Sequence, residues 1–573
     1  MRLTLTAAAA AMALCLAGSP AGAAESMTMT LKADIDGFLR QLDTATHGFV
    51  KWDGADRMEI RQQGEAAVAE IDNAGILIDA SDPKPARLIL DHIELRRAPG
   101  PDDSIAWALV LPASTVVRDA KGQETKLAMQ GGTGKGIVDS QTGRFREFSL
   151  TFAGARIDDQ KTGGWISLGP LSLASKLTGE AGGGWASPAD FELKGIEFFF
   201  TEGPVGGAVG RIRYTARSAG PDLAALNRLR TRLEKIQQDE HTPPADRLNA
   251  LLGVLPELPA LFTEAKGEMA IEQVTVRAPT GEPFVAFDKA SFGGSLTGLS
   301  GDTAALRLTL QQDGLSLAPS ILDKDKVPRR VILDFGLEEV DSKILLNILE
   351  VAAKARLGGS DAERKRVEQQ LIGTAAKLTP VLRIYDLAAD TPAVGIDAKA
   401  EARGSPLSPK GYKADAEVRV RGFDAVAGLM PKAALVAFLP LLKEIGTVST
   451  VTGGATTVAF HLASAPPKWL TLNGQDISTW FTPDGPGAEG RKLRPAEPPM
   501  TGDDVRAVQQ ALAAGNMAAP QTGTYDAATA VAVARYQKQQ GLNIDGVVDA
   551  EVRRRLGVKP QPAAPPGPKP RAN

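Results

Sequence analysis

The feature that most constrains this chain is an alternation of apolar and polar residues along many short segments of residues 25–481. Successive side chains of a β-strand point to opposite faces of a sheet, so this period gives each strand one apolar and one wet face. Antiparallel sheets show this character more often than parallel sheets. The clearest segments contain Phe148, Leu150 and Phe152; Ile212 and Tyr214; Leu306, Leu308 and Leu310; Ile396, Ala398 and Ala400; and Ala416, Val418 and Val420.

Amphipathic helices are predicted at three places, each after a strand and an aspartate-bearing turn. The first begins behind Asp222, an N-cap residue, and ends at Gln238. The second is predicted at 341–357 and precedes a capping box that begins at Ser360. The third is a leucine-rich stretch that ends at Ile445. The sequence therefore predicts an α+β fold, with a large antiparallel β-rich region and inserted amphipathic helices.

A different pattern occupies residues 501–557. Val505, Val508 and Leu512 recur at helical spacing on one face of a short segment that begins with Asp503 and Asp504. Acidic residues suit the positive end of a helix dipole. We therefore predict a helix that packs through one apolar face.

Two glycine turns follow, each leading into a further helix. Gly523 precedes a predicted helix at 529–540, which stops at Gly541, a residue type that commonly ends helices. Gly546 repeats the turn and precedes a helix that runs to Leu556. The segment is therefore predicted to be a small three-helix domain with an internal duplication.

The joint order of these residues resembles the peptidoglycan-binding-like module of many bacterial cell-wall proteins. Two positions depart from that pattern: Thr522 replaces an acidic turn residue, and Val552 replaces a threonine. The resemblance is carried by Val505, Val508, Gln509, Leu512, Gly523, Tyr525, Thr529, Tyr536, Gln537, Gly541, Leu542, Asp545, Gly546 and Leu556.

What the resemblance implies is contact with wall glycan or stem peptide. The candidate peptidoglycan-binding residues are Gln509, Tyr525, Tyr536, Gln537 and Asp545. For both glutamines and for Tyr525, a structural role is an equal alternative.

Residues 25–481 end in a strand that closes on an Asn473–Gly474 turn. Together with the alternating strands and leucine-rich helices, this ending is similar to AsmA-like and YdgA-like exported envelope proteins. That resemblance implies an elongated, curved sheet whose apolar concave face suits lipid or hydrophobic cargo.

Residues 1–24 have the form of a cleavable signal peptide. Arg2 supplies a positive charge, an apolar run follows, and Ala21-Gly22-Ala23 has the small-x-small form of a cleavage site. Retention as a membrane anchor is the alternative. Cys15 is the only cysteine, so the mature chain would lack thiols. The predicted location is the periplasm, with association to the cell wall.

Proline and glycine mark the remaining boundaries. Residues 482–500 form a predicted flexible linker between the β-rich region and the three-helix domain, and residues 558–573 form a predicted disordered tail. With 65 basic and 68 acidic side chains, the chain lacks the basic footprint of a nucleic-acid-binding protein. No stretch after the signal reaches the ~20 apolar residues of a membrane-spanning helix.

The search for catalytic patterns gives no site. The four histidines lack metal-ligand spacing, and no cofactor motif is present. Residues 131–136 resemble a phosphate-binding loop, but glycine occupies the position of its serine or threonine, so a hairpin loop is predicted there.

The predicted function is therefore non-enzymatic: the C-terminal module attaches to peptidoglycan while the β-rich region binds a lipid or protein of the envelope. The alternatives are a peptidoglycan hydrolase with an unrecognised site and a purely structural scaffold.

Overall fold

The structure is a computed structural model that divides the chain into two compact units. Unit 1 comprises Met1–Leu322 and Glu339–Leu378, and unit 2 comprises Asp323–Glu338 and Thr379–Asn573. The described residues are 27–45, 50–78, 85–118, 124–140, 145–158, 163–179, 183–201, 205–238, 250, 253–254, 257, 261–347, 380–404, 412–429, 433–450, 455–465, 468–480, 491–495 and 499–559. The predicted signal peptide, the capping box at Ser360 and the tail beyond Lys559 lie outside them.

Unit 1 contains antiparallel strands, and its described residues include the helices α1 (Met27–Ala45) and α2 (Leu223–Gln238) and the start of another helix at Ser342. Its described strands are β1 (Val50–Gly54), β2 (Arg57–Gln63), β3 (Ala66–Ile78), β4 (Ala86–Pro99), β5 (Ser104–Leu111), β6 (Ser114–Arg118), β7 (Glu124–Met129), β8 (Gly132–Asp139), β9 (Phe145–Phe152), β10 (Ala155–Asp158), β11 (Trp165–Leu168), β12 (Leu171–Lys176), β13 (Thr178–Gly179), β14 (Trp185–Phe200), β15 (Val205–Gly220), β16 (Glu264–Arg277), β17 (Pro283–Thr297), β18 (Thr303–Asp313) and β19 (Ser316–Leu317).

The long strands β4 and β14 are joined by two paths of shorter strands. One path runs through β5, β8, β9 and β12, and the other through β6, β7, β10 and β11. Beyond β14 the strands β15, β16, β17 and β18 pair in chain order. The alternating segments around Leu150, Ile212 and Leu308 lie in strands, so the antiparallel β-rich prediction is confirmed.

Helix α1 packs its apolar side on the first strands of unit 1. Leu31 and Ile35 are buried against Ala67 and Ala69 of β3. Asp34 of α1 forms an ion pair with Arg97 of β4 at 3.2 Å. Burial raises the pKa of the Asp34 carboxyl, and the Arg97 charge opposes that shift.

Helix α2 begins as the sequence predicts. The Asp222 carboxylate accepts the backbone N–H of Ala225 at 2.9 Å, which is the expected N-cap bond. Leu226 and Leu229 of α2 are buried with Trp185 of β14.

The second predicted helix is described only at its start. It begins at Ser342, and Asp341 accepts the backbone N–H groups of Lys343 and Ile344, both at 2.9 Å. The remaining predicted residues, from 348 onward, lie outside the described ranges.

The prediction of a hairpin loop at 131–136 is wrong, because residues 132–136 lie in β8. Strand β8 is hydrogen-bonded on both sides, to β5 and β9. A Cβ on Gly134 would lie 3.3 Å from the Cβ of Leu109 in β5. The glycines thus leave room for large neighbouring side chains, and they do not mark a turn.

Unit 2 joins antiparallel strands to four helices among its described residues. The helices are α3 (Ala433–Ile445), α4 (Asp503–Ala514), α5 (Ala527–Gln539) and α6 (Ala550–Leu556), with 3-10 turns at Phe423–Gly428 and Ser478–Trp480. The strands are most of β20 (Arg330–Asp341), β21 (Val381–Asp390), β22 (Gly395–Gly404), β23 (Tyr412–Arg421), β24 (Thr447–Thr450), β25 (Thr456–Ala465), β26 (Lys468–Leu472) and β27 (Gln475–Asp476).

The strands of unit 2 end at the predicted Asn-Gly turn. Asn473 and Gly474 have φ angles of 49° and 80°, which suit a tight hairpin between β26 and β27. The Asn473 amide also donates to the carbonyl of Ile445 at 3.0 Å, so the hairpin is tied to the end of α3. None of the helices within the described ranges is long and apolar enough to cross a membrane.

Candidate functional site

Helix α4 has the apolar face that its sequence predicts. Val505, Val508 and Leu512 have no solvent exposure, and they belong to the same hydrophobic cluster as residues of α5 and α6. This packing places the next buried residue on the helix, Gln509, against the first glycine turn.

Gln509 closes the first turn with its side-chain amide. Its Oε1 accepts the backbone N–H of Gly523 at 2.8 Å. Its Nε2 donates to the carbonyl of Thr524 and to the hydroxyl of Thr529, both at 2.9 Å. Gly523 has a φ of 71°, a conformation that favours glycine.

Gln537 of α5 closes the second turn in the same way. Its Oε1 accepts the backbone N–H groups of Asp545 at 3.1 Å and Gly546 at 2.8 Å. Its Nε2 donates to the Asp545 carboxylate at 2.7 Å and to the Val547 carbonyl at 3.0 Å. Gly546 has a φ of 63°. The internal duplication therefore extends to individual hydrogen bonds.

The structure explains the two departures from the family pattern, one by a hydrogen bond and the other by packing. The Thr522 hydroxyl accepts the N–H of Thr524 at 3.2 Å, while the Asp545 carboxylate accepts the N–H of Val547 at 2.9 Å in the second turn. Threonine thus replaces the acid with another acceptor. Val552 is buried at the start of α6, where an apolar side chain packs in place of a hydroxyl.

Tyr525 and Tyr536 lie in different surroundings. Tyr525 is fully buried, and its hydroxyl donates to the carbonyl of Gly546 at 2.7 Å, which links the two turns. Burial raises the pKa of the Tyr525 phenol well above its usual value, and the nearby Asp545 charge adds to that shift. Tyr536 is half-buried on α5.

The segment with these helices and turns was compared with known families. Residues 501–556 match the family model described as "Putative peptidoglycan binding domain". This segment is a peptidoglycan-binding domain. No curated protein and no solved structure matches the chain. The match supports binding to the cell wall, whereas the similarity of residues 25–481 to AsmA-like and YdgA-like proteins is not confirmed.

The five predicted binding residues all lie in the peptidoglycan-binding domain, but most of them are interior. Gln509, Tyr525, Gln537 and Asp545 are at most 5% exposed, and their polar groups bond to the domain's own turns. The half-buried Tyr536 is the exception. Both glutamines and Tyr525 therefore have the structural role that was the alternative. Ligand contact by all five residues stays a prediction.

A buried ion cluster fixes the start of α4. The Asp504 carboxylate accepts two hydrogen bonds from Arg491, at 2.7 and 2.9 Å, and Arg553 of α6 lies 3.7 Å away. Burial raises the pKa of Asp504, but the bonds and charge of Arg491, the N–H of Val505 and the Arg553 charge together hold it below its ordinary value. Burial lowers the pKa of Arg553, and the Asp504 charge opposes that shift.

The second turn of the domain is covered by other parts of unit 2. The Asn543 side chain accepts the N–H of Asp476 at 2.6 Å and donates to its carbonyl at 2.7 Å. Trp480 donates its indole N–H to the carbonyl of Asp545 at 2.8 Å. A Cβ on Gly546 would lie 2.8 Å from Cδ1 of Leu441 in α3. This turn is therefore a docking surface between the domain and the rest of unit 2.

Helices α3 and α5 complete this contact. Residues 529–534 of α5 are all buried, so α5 lies between its own domain and α3. At the edge of the contact, Arg535 pairs with Glu444 at 2.7 Å. The described part of the segment predicted as a linker is also packed, because Leu493 is fully buried and exchanges backbone hydrogen bonds with Val548.

The first turn presents polar side chains to solvent. Gln521 and Thr522 are exposed, as is Arg506 of α4. A Cβ on Gly523 would lie 3.2 Å from the Arg506 guanidinium, so glycine lets the arginine lie beside the turn. We call Arg506, Gln521 and Thr522 the first-turn face. The sequence prediction did not include Arg506, although its position one helical turn before Gln509 can be read from the sequence. Among the described residues, no group of three or more His, Cys, Asp or Glu side chains could hold a metal ion.

Proposed function

We propose that this protein is a non-enzymatic, exported component of the bacterial cell envelope. Its C-terminal domain attaches to peptidoglycan, and its β-rich region binds a lipid or protein component of the envelope. The observation that carries the proposal is the match of residues 501–556 to a peptidoglycan-binding family.

The first-turn face is the part of the domain that we assign to wall contact. The second turn is occupied by Asn543, Trp480 and Leu441 contacts within unit 2, so peptidoglycan cannot reach it without separating the domain from the strands. The equivalent surface of the first turn carries exposed Arg506 and Thr522. The second turn therefore packs against the rest of unit 2, and the first turn is left exposed for ligand.

The chemistry of the first-turn face suits the wall polymer. Peptidoglycan presents sugar hydroxyls and amides together with stem-peptide carboxylates. The Arg506 guanidinium offers several N–H donors, and its bonds to carboxylates are stronger than bonds between neutral groups. Gln521 and Thr522 add neutral donors and acceptors for sugar groups.

Export is part of the proposal because peptidoglycan lies outside the cytoplasmic membrane. The signal-like segment at 1–24 supports this location, with cleavage releasing the chain into the periplasm. The mature chain then lacks the cysteine nucleophile that some wall enzymes use.

Co-sedimentation with purified peptidoglycan sacculi tests the proposal. The full-length protein should sediment with the sacculi, and Arg506→Glu should weaken binding by about tenfold, because it replaces a charge-assisted donor with a repelled carboxylate. Arg554→Glu is the matched control: Arg554 is 74% exposed on α6, and its replacement should leave sedimentation within about twofold.

Two outcomes would contradict the proposal. If the folded full-length protein stays in the supernatant, attachment to the wall is wrong. If soluble muropeptides are released from the sacculi during the assay, the non-enzymatic assignment is wrong, and the hydrolase alternative replaces it.

A further inference from the structure

An apolar row crosses unit 1 from strand to strand. The row contains one residue of each strand from β14 to β18, and each residue is the direct cross-strand partner of the next. Phe191 pairs with Tyr214, Tyr214 with Met269, Met269 with Phe292, and Phe292 with Leu310. Directly opposed side chains on neighbouring strands lie on the same face and touch. The row is therefore continuous on one face of the sheet.

Most of the apolar row is open to solvent. Tyr214, Met269, Phe292 and Leu310 are 44%, 45%, 54% and 44% exposed. Single exposed apolar residues are common on proteins, but contiguous exposed apolar patches mark binding surfaces. Four such residues on four adjacent strands form a patch of this second kind.

The neighbouring positions on the same face are uncharged. Two residues along each strand to either side, the flanking rows contain Leu193, Ile212, Ile271, Ala290 and Gln312, and Ala189, Ala216, Gly267, Gly294 and Leu308. A Cβ on Gly267 would lie 3.4 Å from the Tyr214 hydroxyl, and a Cβ on Gly294 would lie 3.2 Å from Cδ2 of Leu308. The glycines therefore let the larger side chains lie along the sheet.

The charged residues next to the apolar row along the chain lie on the opposite face. Arg211 pairs with Glu272 at 2.6 Å, and Arg213 pairs with Asp190 at 2.9 Å. Arg213 and Asp190 each neighbour a residue of the apolar row along the chain, so strand alternation places them on the other side. The apolar row and its two flanking rows are therefore free of charge, and the opposite face carries the ion pairs.

The apolar row continues toward a part of the sheet that the chain itself covers. Beyond Phe191 the cross-strand partners are Leu173, Leu150, Gly134, Leu109 and Leu95. At that end, α1 packs its apolar side beside Leu95. The face is thus continuous with an interface that already takes an apolar partner.

We propose that the open part of the apolar row binds an acyl chain of a membrane lipid. The three uncharged rows complement hydrocarbon, whose transfer from water is favourable. The distance from β14 to β18 is about 19 Å at ~4.8 Å per strand. That length accommodates one acyl chain, since a lipid leaflet contributes about half of a ~30 Å hydrocarbon core. This inference rests on the proposed function and specifies what the β-rich region holds.

Titration of the full-length protein with cis-parinaric acid, a fatty acid that fluoresces in apolar sites, tests this inference. The wild type should give saturable fluorescence, and Phe292→Glu should weaken binding by about tenfold, because a carboxylate beside hydrocarbon must be desolvated. Ser295→Glu is the control: it places the same residue on the same strand, but on the opposite face between Lys266 and Arg307. Its affinity should stay within about twofold of wild type.

The remaining outcomes overturn the inference without ambiguity. Absent fluorescence, or equal affinity of wild type and Phe292→Glu, would show that the row does not bind acyl chains. A wild-type dimer that Phe292→Glu dissociates, with no fatty-acid binding, would identify a second copy as the occupant. Sedimentation with sacculi, measured on the same samples, reports separately on wall attachment, so the two proposals fail independently.

Discussion

Two glutamine side chains organise the peptidoglycan-binding domain. The sequence predicted both glycine turns, because Gly523 and Gly546 repeat in the same context. It left open whether Gln509 and Gln537 bind ligand or hold structure, because a polar residue on a helix has the same pattern in both cases. Their burial and their bonds to the turns supply the structural role.

Loss of the Gln537 side-chain hydrogen bonds to the second turn should destabilise unit 2. Gln537→Leu leaves the buried N–H groups of Asp545 and Gly546 without their acceptor, at a cost of about 2–3 kcal/mol in the free energy of unfolding. Gln539→Leu, on the exposed side of the same helix, should change it by less than about 0.5 kcal/mol. Urea unfolding of both variants measures the difference, and equal stabilities would contradict this role of Gln537.

The ion cluster at Asp504 should make stability depend on acid. Its folded pKa is lowered, so its contribution is fully present above its ordinary value of 3.8 and is lost as the pH falls through the folded value. Asp504→Asn should therefore destabilise the protein near neutral pH, by about 3 kcal/mol for removal of one partner of a buried pair. The gap between wild type and variant should shrink below pH 3.8. Free energies of unfolding measured across that pH range test this prediction. A stability difference between wild type and Asp504→Asn that widens in acid would contradict it.

At the element scale, α5 shows what periodicity can and cannot predict. The sequence predicted this helix at 529–540, close to the observed Ala527–Gln539. It did not predict burial on both sides, because the small residues Ala530, Ala532 and Ala534 give no strong apolar stripe. The cross-strand register of the apolar row was equally hidden, since alternation identifies strands but not their partners.

A matched pair of glycines tests the docking of α3 on the second turn. Gly541 and Gly546 both have a φ of 63°, but a Cβ contacts Leu441 only at Gly546 and meets nothing within 4 Å at Gly541. Gly541→Ala should cost about 1 kcal/mol of backbone strain. Gly546→Ala should cost roughly 1–3 kcal/mol more from overpacking.

A double-mutant cycle identifies the source of that extra cost. Leu441→Ala should relieve part of the penalty of Gly546→Ala and none of the penalty of Gly541→Ala, as thermal unfolding would report. If the stability effect of Leu441→Ala adds strictly to that of each glycine substitution, α3 does not pack tightly against this turn.

At the scale of the whole molecule, unit 2 combines strands and the peptidoglycan-binding domain in one compact unit. The composition of residues 482–500 predicted a flexible spacer, because proline and glycine without periodicity usually give one. Within the described part, Leu493 is fully buried, and an isolated leucine leaves no periodic pattern in the sequence. The domain boundaries, the signal peptide and the ligand of the β-rich region stay predictions.

Hydrogen exchange of the full-length protein, with and without soluble muropeptides, tests whether the first-turn face binds the wall. We expect slower amide exchange on ligand addition at 503–510 and 521–525, around the first-turn face. We expect no change at 543–547, where the second turn is already covered. An unchanged pattern throughout 501–556 would contradict wall binding by this domain, and protection confined to 543–547 would contradict the assignment of the ligand to the first turn.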